Sequence, residues 1–377
     1  MPPVNIGLAQ LSDRFLLVTV FFYALAVLAF AGDFAYGRRT TPRVANGTTS
    51  AEVVPAETDA IDEAERARVA VAAGVTAQAG SGVPVSGAST GTTNPAGMTS
   101  APTAADAGPP VAAARRWRAG GAPAGPWVRA ALALTVIGLV TQILGIVTRG
   151  LAEHRVPWGN MYEFVMAITC AAVIAFLLLL IRFRVYSVGL FLMAPVVLAL
   201  GLCATVLYTA AGPLVPALHS YWIWIHVTTM TVATGAYIVA AVLTVLYLIA
   251  DRHARRNPAD PGAGLGAVLH RLPPADALDR LSYRTVVFAF PIWTFAVIAG
   301  AIWADQAWGR YWGWDPKETW AFITWVVYAG YLHARATAGW RGRKAAYVQL
   351  AGFTSLVFNL VGVNLWITGL HSYAGIS

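Results

Sequence analysis

Charged residues are scarce in this sequence. Only 12% of the 377 residues are Asp, Glu, Lys or Arg, whereas 57% are hydrophobic, and the mean hydropathy is +0.59. A soluble globular domain carries about twice this charged fraction. The composition therefore excludes an ordinary soluble protein and indicates an integral membrane protein. We expect no nucleic-acid partner, because in a membrane protein a net charge of +8 reports how the chain is oriented.

Cysteine is almost absent. The two cysteines, Cys170 and Cys203, lie in apolar runs, and the sequence has no Cys-x-x-Cys. This excludes a disulfide framework and a dithiol redox site. Both residues are predicted to be small, buried apolar side chains.

Aromatic residues are absent from Gly37 to Arg116, where Ala, Gly, Thr, Pro and Val dominate. Such a segment cannot bury enough apolar surface to offset the entropy lost on ordering. Residues 37–126 are therefore predicted to form a disordered Ala/Gly/Pro/Thr-rich linker.

The rest of the chain consists of long apolar runs. A transmembrane helix needs about 20 apolar residues, and eight runs qualify: 13–36, 127–148, 162–181, 186–210, 221–250, 285–304, 319–338 and 346–369. The first run follows Asp13-Arg14 and has no small-residue cleavage site, so we expect it to be retained rather than removed as a signal peptide. The predicted fold is an all-α membrane protein with a first helix in residues 1–36 and a seven-helix domain in residues 127–377.

The basic residues predict the orientation. If residues 37–126 are cytoplasmic, 21 of the 26 Lys and Arg residues lie on the cytoplasmic side, and the bias alternates correctly through eight spans. Both termini are then on the outer face of the cytoplasmic membrane. The loop at residues 303–320 is on that face too.

This loop concentrates aromatic residues. The stretch from Trp308 to Trp320 holds four tryptophans, one tyrosine and four charged residues in thirteen positions. Asp315 at an N-cap, Pro316 at the first helical position and Glu318 at the third predict that a helix begins here. An interfacial aromatic belt would instead scatter its rings over many helix ends.

Flat, rigid aromatic rings suit a planar ligand, because they offer a large apolar area with little conformational freedom to lose. Arg310 and Lys317 could pair with carboxylates such as haem propionates. By composition alone, a quinone, a sterol or a protein partner would fit equally well.

Histidines favour haem among these ligands. His226 lies near the outer end of the fifth span and His371 follows the eighth, so both are expected at the outer face, as a bis-imidazole pair for haem iron. The other external and cytoplasmic-loop histidines are expected to be solvated: His154, His219, His253 and His270.

His333 is predicted to lie within the seventh span, roughly 20 Å from its outer end. An ionisable residue at membrane depth suggests function. A hydrogen-bonded packing residue is the alternative.

The sequence Trp308-Gly309-x-x-Trp312-Gly313-Trp314-Asp315-Pro316-Lys317-Glu318-x-Trp320 resembles the WWD signature of haem-handling proteins. Over residues 127–377 the chain is similar to the CcsA/ResC family of System II cytochrome c biogenesis, often named CcsB in actinobacteria. Supporting stretches are Trp224-Ile225-His226-Val227, Gly362-Val363-Asn364, Leu370-His371-Ser372-Tyr373 and Gly159-Asn160-Met161-Tyr162-Glu163-Phe164.

The resemblance implies haem transport, and covalent attachment of haem to apocytochrome c, by a subunit of a cytochrome c synthase. Haem b would be bound cargo, with His226 and His371 as axial ligands and His333 as a transient ligand inside the membrane. Implied partners are a ResB/Ccs1-type membrane protein, an apocytochrome c with Cys-x-x-Cys-His, and a thiol-reducing thioredoxin-like protein. The other candidate haem-binding residues are Trp308, Arg310, Tyr311, Trp312, Trp314, Asp315, Lys317 and Trp320.

Three alternatives remain at this stage. The chain could export haem without ligating it, act as a b-type electron-transfer protein, or transport another solute. No predicted helix carries two histidines, which argues against the second alternative, and no clear pair of broken helices supports the third.

Overall fold

The computed structural model describes residues 3–36, 124–212, 220–256, 269 and 271–371. Over these residues every regular element is helical, which confirms the predicted all-α class. The predicted linker at residues 37–126 lies outside the described residues, except for its last three.

Nine α-helices occur in the described part of the chain. They are α1 (Ile6–Tyr36), α2 (Pro126–Glu153), α3 (Met161–Phe183), α4 (Gly189–Thr205), α5 (Tyr221–Arg256), α6 (Ala275–Trp308), α7 (Pro316–Ala336), α8 (Arg343–Val357) and α9 (Val363–Trp366). A 3-10 turn, Tyr186–Val188, leads into α4. A π-helical turn, Phe358–Gly362, joins α8 to α9, so that Arg343–Trp366 runs as one helix.

Seven of these helices are long and apolar enough to cross a membrane, counting Tyr186–Thr205 and Arg343–Trp366 as one helix each. The remaining predicted span corresponds to α7. With 21 residues it is about 31 Å long, enough to cross a bilayer core of about 30 Å. Its mean hydropathy is lower than that of the other seven helices because it contains several Trp, Tyr, Thr and His residues. The chain is therefore a multi-pass membrane protein.

Several helices extend beyond the predicted apolar runs. Hydropathy detects the apolar part of a helix but not its polar ends, so α6 begins at Ala275 instead of near residue 285. For the same reason α5 continues to Arg256.

Helix α5 is the centre of the described bundle. Two thirds of its most apolar window (67%) is buried, more than in any of the other six apolar helices. Its buried residues contribute to two large hydrophobic clusters, one shared mainly with α1 to α4 and one shared with α6 to α8, and Ile223 and Val227 near its start form a third, small cluster with Trp303. A residue near the start of α5, such as His226, is therefore held by the most enclosed helix.

Contacts between helix ends agree with the predicted alternation of spans. Arg271, just before α6, donates to the Asp33 carbonyl of α1 at 2.8 Å. Arg335 at the end of α7 pairs with Asp279 at the start of α6, also at 2.8 Å. The charge count assigns all four of these residues to one membrane face.

Four charged residues with buried or largely buried side chains join α2 to α3 at the opposite end. Arg149 lies 3.0 Å from Glu153 and 3.2 Å from Glu163. Arg155 lies 2.8 Å from Glu153 and 3.0 Å from Glu163. Since buried charges are costly unless they are paired, this cluster fixes the conformation of residues 154–160, which connect the two helices.

Gly235 allows α3 and α5 to approach closely. A Cβ added at this position would lie 2.6 Å from the backbone nitrogen of Ala172 and 2.7 Å from the carbonyl carbon of Ala171. The obstacles are backbone atoms, so rotation of a side chain could not relieve the clash.

We expect Gly235→Ala to lower the melting temperature in detergent, because separating the two backbones costs about 1–3 kcal/mol. Gly201→Ala is the matched control, since no atom lies within 4 Å of its added Cβ. It should be neutral or stabilising, as Ala is preferred over Gly in helices by about 1 kcal/mol. Equal melting temperatures for the two variants would contradict the close approach of α3 and α5.

Candidate functional site

A large cavity lies between α3, α5, α6, α7 and the Arg343–Trp366 helix. Its empty volume, including the open mouth, is about 1160 Å³. Six of the predicted site residues line it: His226, Trp308, Tyr311, Trp312, Lys317 and His371.

His226 is oriented by α6. Its Nδ1 lies 2.8 Å from the Ala296 carbonyl oxygen, which can accept a hydrogen bond from the imidazole. Gly300, one turn further along α6, provides space for the ring, because a Cβ there would lie 2.6 Å from His226 Cε1. With Nδ1 donating to this carbonyl, a metal would bind through Nε2.

His371 is oriented by the loop that precedes α7. Its Nδ1 lies 2.7 Å from Asp315 Oδ1, and the Leu370 amide donates to Asp315 Oδ2 at 2.7 Å. Asp315 Oδ1 also accepts from the Lys317 amide at 3.2 Å, as a helix N-cap. A carboxylate hydrogen-bonded to one imidazole nitrogen raises the basicity of the other, and this arrangement is usual for metal-binding histidines.

The hydrogen bonds to Asp315 also set its charge state. Burial alone would raise the pKa of its carboxyl. The hydrogen bonds from His371, Leu370 and Lys317, together with the charge of His371, outweigh burial and hold this pKa below its ordinary value. Asp315 is therefore an anion that faces His371.

The buried Trp303 contacts both histidines. Its ring is nearly parallel to His226, with centroids 6.0 Å apart and an interplanar angle of 9°. His371 meets it edge to face at 5.6 Å and meets Trp308 at 4.9 Å. Both imidazoles are therefore held beside the same indole, at one part of the cavity.

The loop from Gly309 to Asp315 is folded around one carboxylate. Glu318 Oε2 accepts hydrogen bonds from the amides of Gly313 at 2.8 Å and Asp315 at 3.1 Å. Its Oε1 lies 3.2 Å from Arg310 Nη1. The sequence predicted the helix start, and the structure shows a complete capping box there.

Trp314 has a left-handed backbone conformation, with φ of 58°. This conformation is unusual for a bulky residue and is found mainly where surrounding contacts impose it. Its side chain is 65% exposed and packs edge to face on Trp312 and Phe322. Trp314 therefore lies on the outer surface of the loop and does not line the cavity.

Lys317 supplies a positive charge to the cavity wall. Its Nζ donates to the Asn359 carbonyl at 2.8 Å, in the π-helical turn. Asn359 and Leu360 of the same turn line the cavity, as does Asn364 in α9. π-helical turns occur often at functional sites, because they change which side chains face inward.

Four other predicted site residues lie outside the large cavity. Arg310 pairs with Glu318, Trp320 packs on Phe358 with ring centroids 4.2 Å apart, and Asp315 lies behind His371. His333 is exposed in the last turn of α7, about 27 Å along the helix from Asp315. The structure brings His226 and His371 to one cavity and leaves His333 apart from them.

Sequence reasoning missed several residues of the site. The role of Gly300 depends on a ring from another helix, and the pairing of Asp315 with His371 joins positions 56 residues apart. Trp303 stands at the edge of the predicted loop 303–320, and nothing in the sequence pairs it with either histidine. Trp158, which also lines the cavity, lies in the stretch before α3, where Trp-Gly-Asn was the available signal.

Comparison with known proteins gives a consistent result. A family model described as Cytochrome C assembly protein matches residues 158–371, which is more than half of the chain. The cytochrome c biogenesis protein CcsA of Guillardia theta is 35% identical over 252 residues, covering 63% of this chain and 83% of that protein. CcsA of Gloeobacter violaceus is 36% identical over 294 residues, covering 65% and 84%.

CcsA of Synechococcus elongatus is 41% identical over 217 residues, covering 47% of this chain and 67% of that protein. The matched region of the family model contains α3 to α9 and therefore every residue that orients His226 and His371. The chain belongs to the CcsA family of cytochrome c assembly proteins, which serves System II cytochrome c biogenesis.

Proposed function

We propose that this chain binds haem b in the cavity, with His226 and His371 as axial ligands, and presents it for attachment to apocytochrome c. A role in cytochrome c maturation follows from the family. The observation that carries the finer proposal is the histidine pair. Each Nδ1 contacts an oxygen at 2.7–2.8 Å, and both rings lie beside Trp303 at one cavity.

The residues that line the cavity support haem as the ligand. Its walls are mostly apolar and aromatic, which suits a flat macrocycle. Lys317 is the cationic group placed to pair with a propionate, whereas Arg310 is engaged by Glu318. Two imidazole ligands leave no iron coordination site open, so the bound haem would be held without activating oxygen.

Attachment requires thiols from the substrate. Cys170 and Cys203 are both buried in helices and lie on different ones. The Cys-x-x-Cys-His segment of an apocytochrome would supply two thiols instead. Each thiol adds across one haem vinyl group, with sulfur bonding to one carbon and hydrogen to the other, so that no electrons are gained or lost. A thioredoxin-like protein would keep these thiols reduced.

His333 is proposed as the residue that receives haem from within the membrane. It lies on an exposed face of α7 together with Phe322 (40% exposed) and Val326 (46% exposed). An exposed histidine in an apolar face suits a ligand shared with a second membrane protein. We propose that the ResB/Ccs1-type partner covers this face.

The orientation of the chain in the membrane gives the direction of haem transport. The positive-inside rule assigns His333 to the cytoplasmic half of the membrane and the cavity to the outer face of the cytoplasmic membrane. Haem would thus pass outward along α7 to the site where exported apocytochromes are found.

The first test removes both axial ligands. We expect the purified protein to carry haem with a low-spin bis-imidazole spectrum, and the His226→Gly, His371→Gly double variant to lose it. Added free imidazole should restore the spectrum, because it can occupy the space left by the missing side chains.

His154→Gly is the control for this test. His154 is exposed and has a left-handed φ of 53° at the end of α2, a position that favours glycine. The haem spectrum of the His154→Gly variant should equal that of the unmodified protein. Unchanged haem content and ligation in the double variant would contradict the assignment of His226 and His371 as axial ligands.

A second test concerns Asp315. In the variant Asp315→Asn, the new side chain can still cap α7, but the negative charge that faces His371 is lost. The imidazole then donates less electron density to ferric iron, so Asp315→Asn should raise the midpoint potential of the bound haem. Asp251→Asn, which alters an exposed pair with Arg255, should leave the potential unchanged. An unaltered potential in Asp315→Asn would refute the orienting role.

A third test concerns His333. In membranes that contain the partner, His333→Ala should reduce haem occupancy of the His226/His371 site. The purified variant should still bind haem that is added from solution, since its cavity is intact. His253→Ala, in the last turn of α5, is the control. If the His226/His371 site is fully occupied by haem in membranes with His333→Ala, His333 takes no part in haem delivery.

A further inference from the structure

Two loops beside the cavity share one construction. In the first, Arg155 precedes Trp158-Gly159, Asn160 caps α3, and Glu163 is the third helical residue. In the second, Arg310 precedes Trp312-Gly313, Asp315 caps α7, and Glu318 is the third helical residue. The spacing from cap to glutamate is identical, while the second loop has Trp314 inserted between its glycine and its cap.

The two glutamates make corresponding hydrogen bonds. Glu163 Oε2 accepts from the Gly159 amide at 2.6 Å and lies 3.0 Å from Arg155 Nη1. Glu318 Oε2 accepts from the Gly313 amide at 2.8 Å, and Arg310 Nη1 lies 3.2 Å from its Oε1. In each loop one buried carboxylate therefore fixes the glycine and the arginine together.

The two glycines have the same kind of neighbour. A Cβ added at Gly159 would lie 2.9 Å from Arg155 Nη2. A Cβ added at Gly313 would collide with Arg310 Nη1 in the same way. In both loops the arginine guanidinium therefore lies against the backbone of the glycine that follows the cavity-lining tryptophan.

Both of these tryptophans reach the cavity. Trp158 lines it together with Met161 and Phe164, as Trp312 does from the other loop. Trp158 also packs against the buried cluster formed by Ile223, Val227 and Trp303. It is therefore placed close to the indole that contacts both histidines.

The indole N–H of Trp158 is buried and has no hydrogen-bond partner among the described residues. Trp293, which also lines the cavity, does have an acceptor: its indole N–H donates to the Ala321 carbonyl at 3.4 Å. A buried donor without an acceptor is costly, and in a native structure it calls for an explanation.

We propose that Trp158 is a further ligand-binding residue, whose indole N–H donates to a carboxylate of the bound haem. This inference rests on the proposed function. In haem b the four ring nitrogens bind iron, so the propionate carboxylates are the hydrogen-bond acceptors that haem can offer. A carboxylate would satisfy the Trp158 donor with a charge-assisted bond.

The experiment compares two porphyrins in two variants. Trp158→Phe keeps an aromatic ring and removes the N–H. Trp222→Phe makes the same exchange in the same aromatic cluster, at a residue that does not line the cavity. Dissociation of haem b and of iron etioporphyrin, which has no carboxylates, is followed by transfer to excess apomyoglobin.

We expect Trp158→Phe to release haem b about tenfold faster than the unmodified protein, equivalent to about 1.4 kcal/mol. Iron etioporphyrin should dissociate at equal rates from both proteins, and Trp222→Phe should match the unmodified protein with both porphyrins. Equal haem b release from Trp158→Phe and the unmodified protein overturns the inference. Equally accelerated release of both porphyrins also overturns it, because the indole would then act by packing alone.

Failure of the underlying function gives a different result. If the unmodified protein shows no bis-imidazole haem spectrum, the proposed function and this inference fail together. If that spectrum is present and is lost in the His226→Gly, His371→Gly variant, the function stands and the Trp158 comparison is decided by its own rates.

Discussion

The candidate site depends on the carboxylate of Asp315. This group ends a loop, begins α7 and accepts hydrogen bonds from Lys317, Leu370 and His371. Through it, the segment after the last helix is joined to a loop more than fifty residues earlier in the chain. A single anion thus determines where α7 begins and how one of the two cavity imidazoles is turned. The proposed chemistry requires this geometry, because the hydrogen bond at Nδ1 of His371 leaves its Nε2 to bind iron.

The membrane made much of the fold predictable. Lipid requires each spanning segment to satisfy its own backbone hydrogen bonds, so a long apolar run can be read as a helix with few alternatives. The alternating bias of Lys and Arg also predicted which helix ends lie on the same membrane face. The contacts of Arg271 with Asp33 and of Arg335 with Asp279 agree with that prediction. The helix start at Asp315 was predictable for another reason, since capping depends on residues only three positions apart.

The rest of the site depends on contacts between distant residues, which a sequence pattern does not encode. The Ala296 carbonyl that orients His226 belongs to an ordinary alanine, and Gly300 beside it has no local reason to be glycine. Hydropathy alone could not show that α5 is the most enclosed helix. The similarity of the two glutamate-centred loops was also hidden, because Trp314 is inserted in one of them and their agreement lies in hydrogen bonds rather than in aligned residues.

The π-helical turn Phe358–Gly362 sets the rotational phase of the end of the chain. In this turn the Val363 amide donates to the Phe358 carbonyl, five residues back. Removing one residue would restore a regular α-helix, but it would rotate Asn364 and the segment leading to His371 by about 100° around the helix axis. The length of this span therefore matters for the direction in which the residues after the turn face, and not only for crossing the bilayer. A helix one residue shorter would still cross the membrane, yet it would turn Asn364 away from the cavity and start the segment that carries His371 in a different direction.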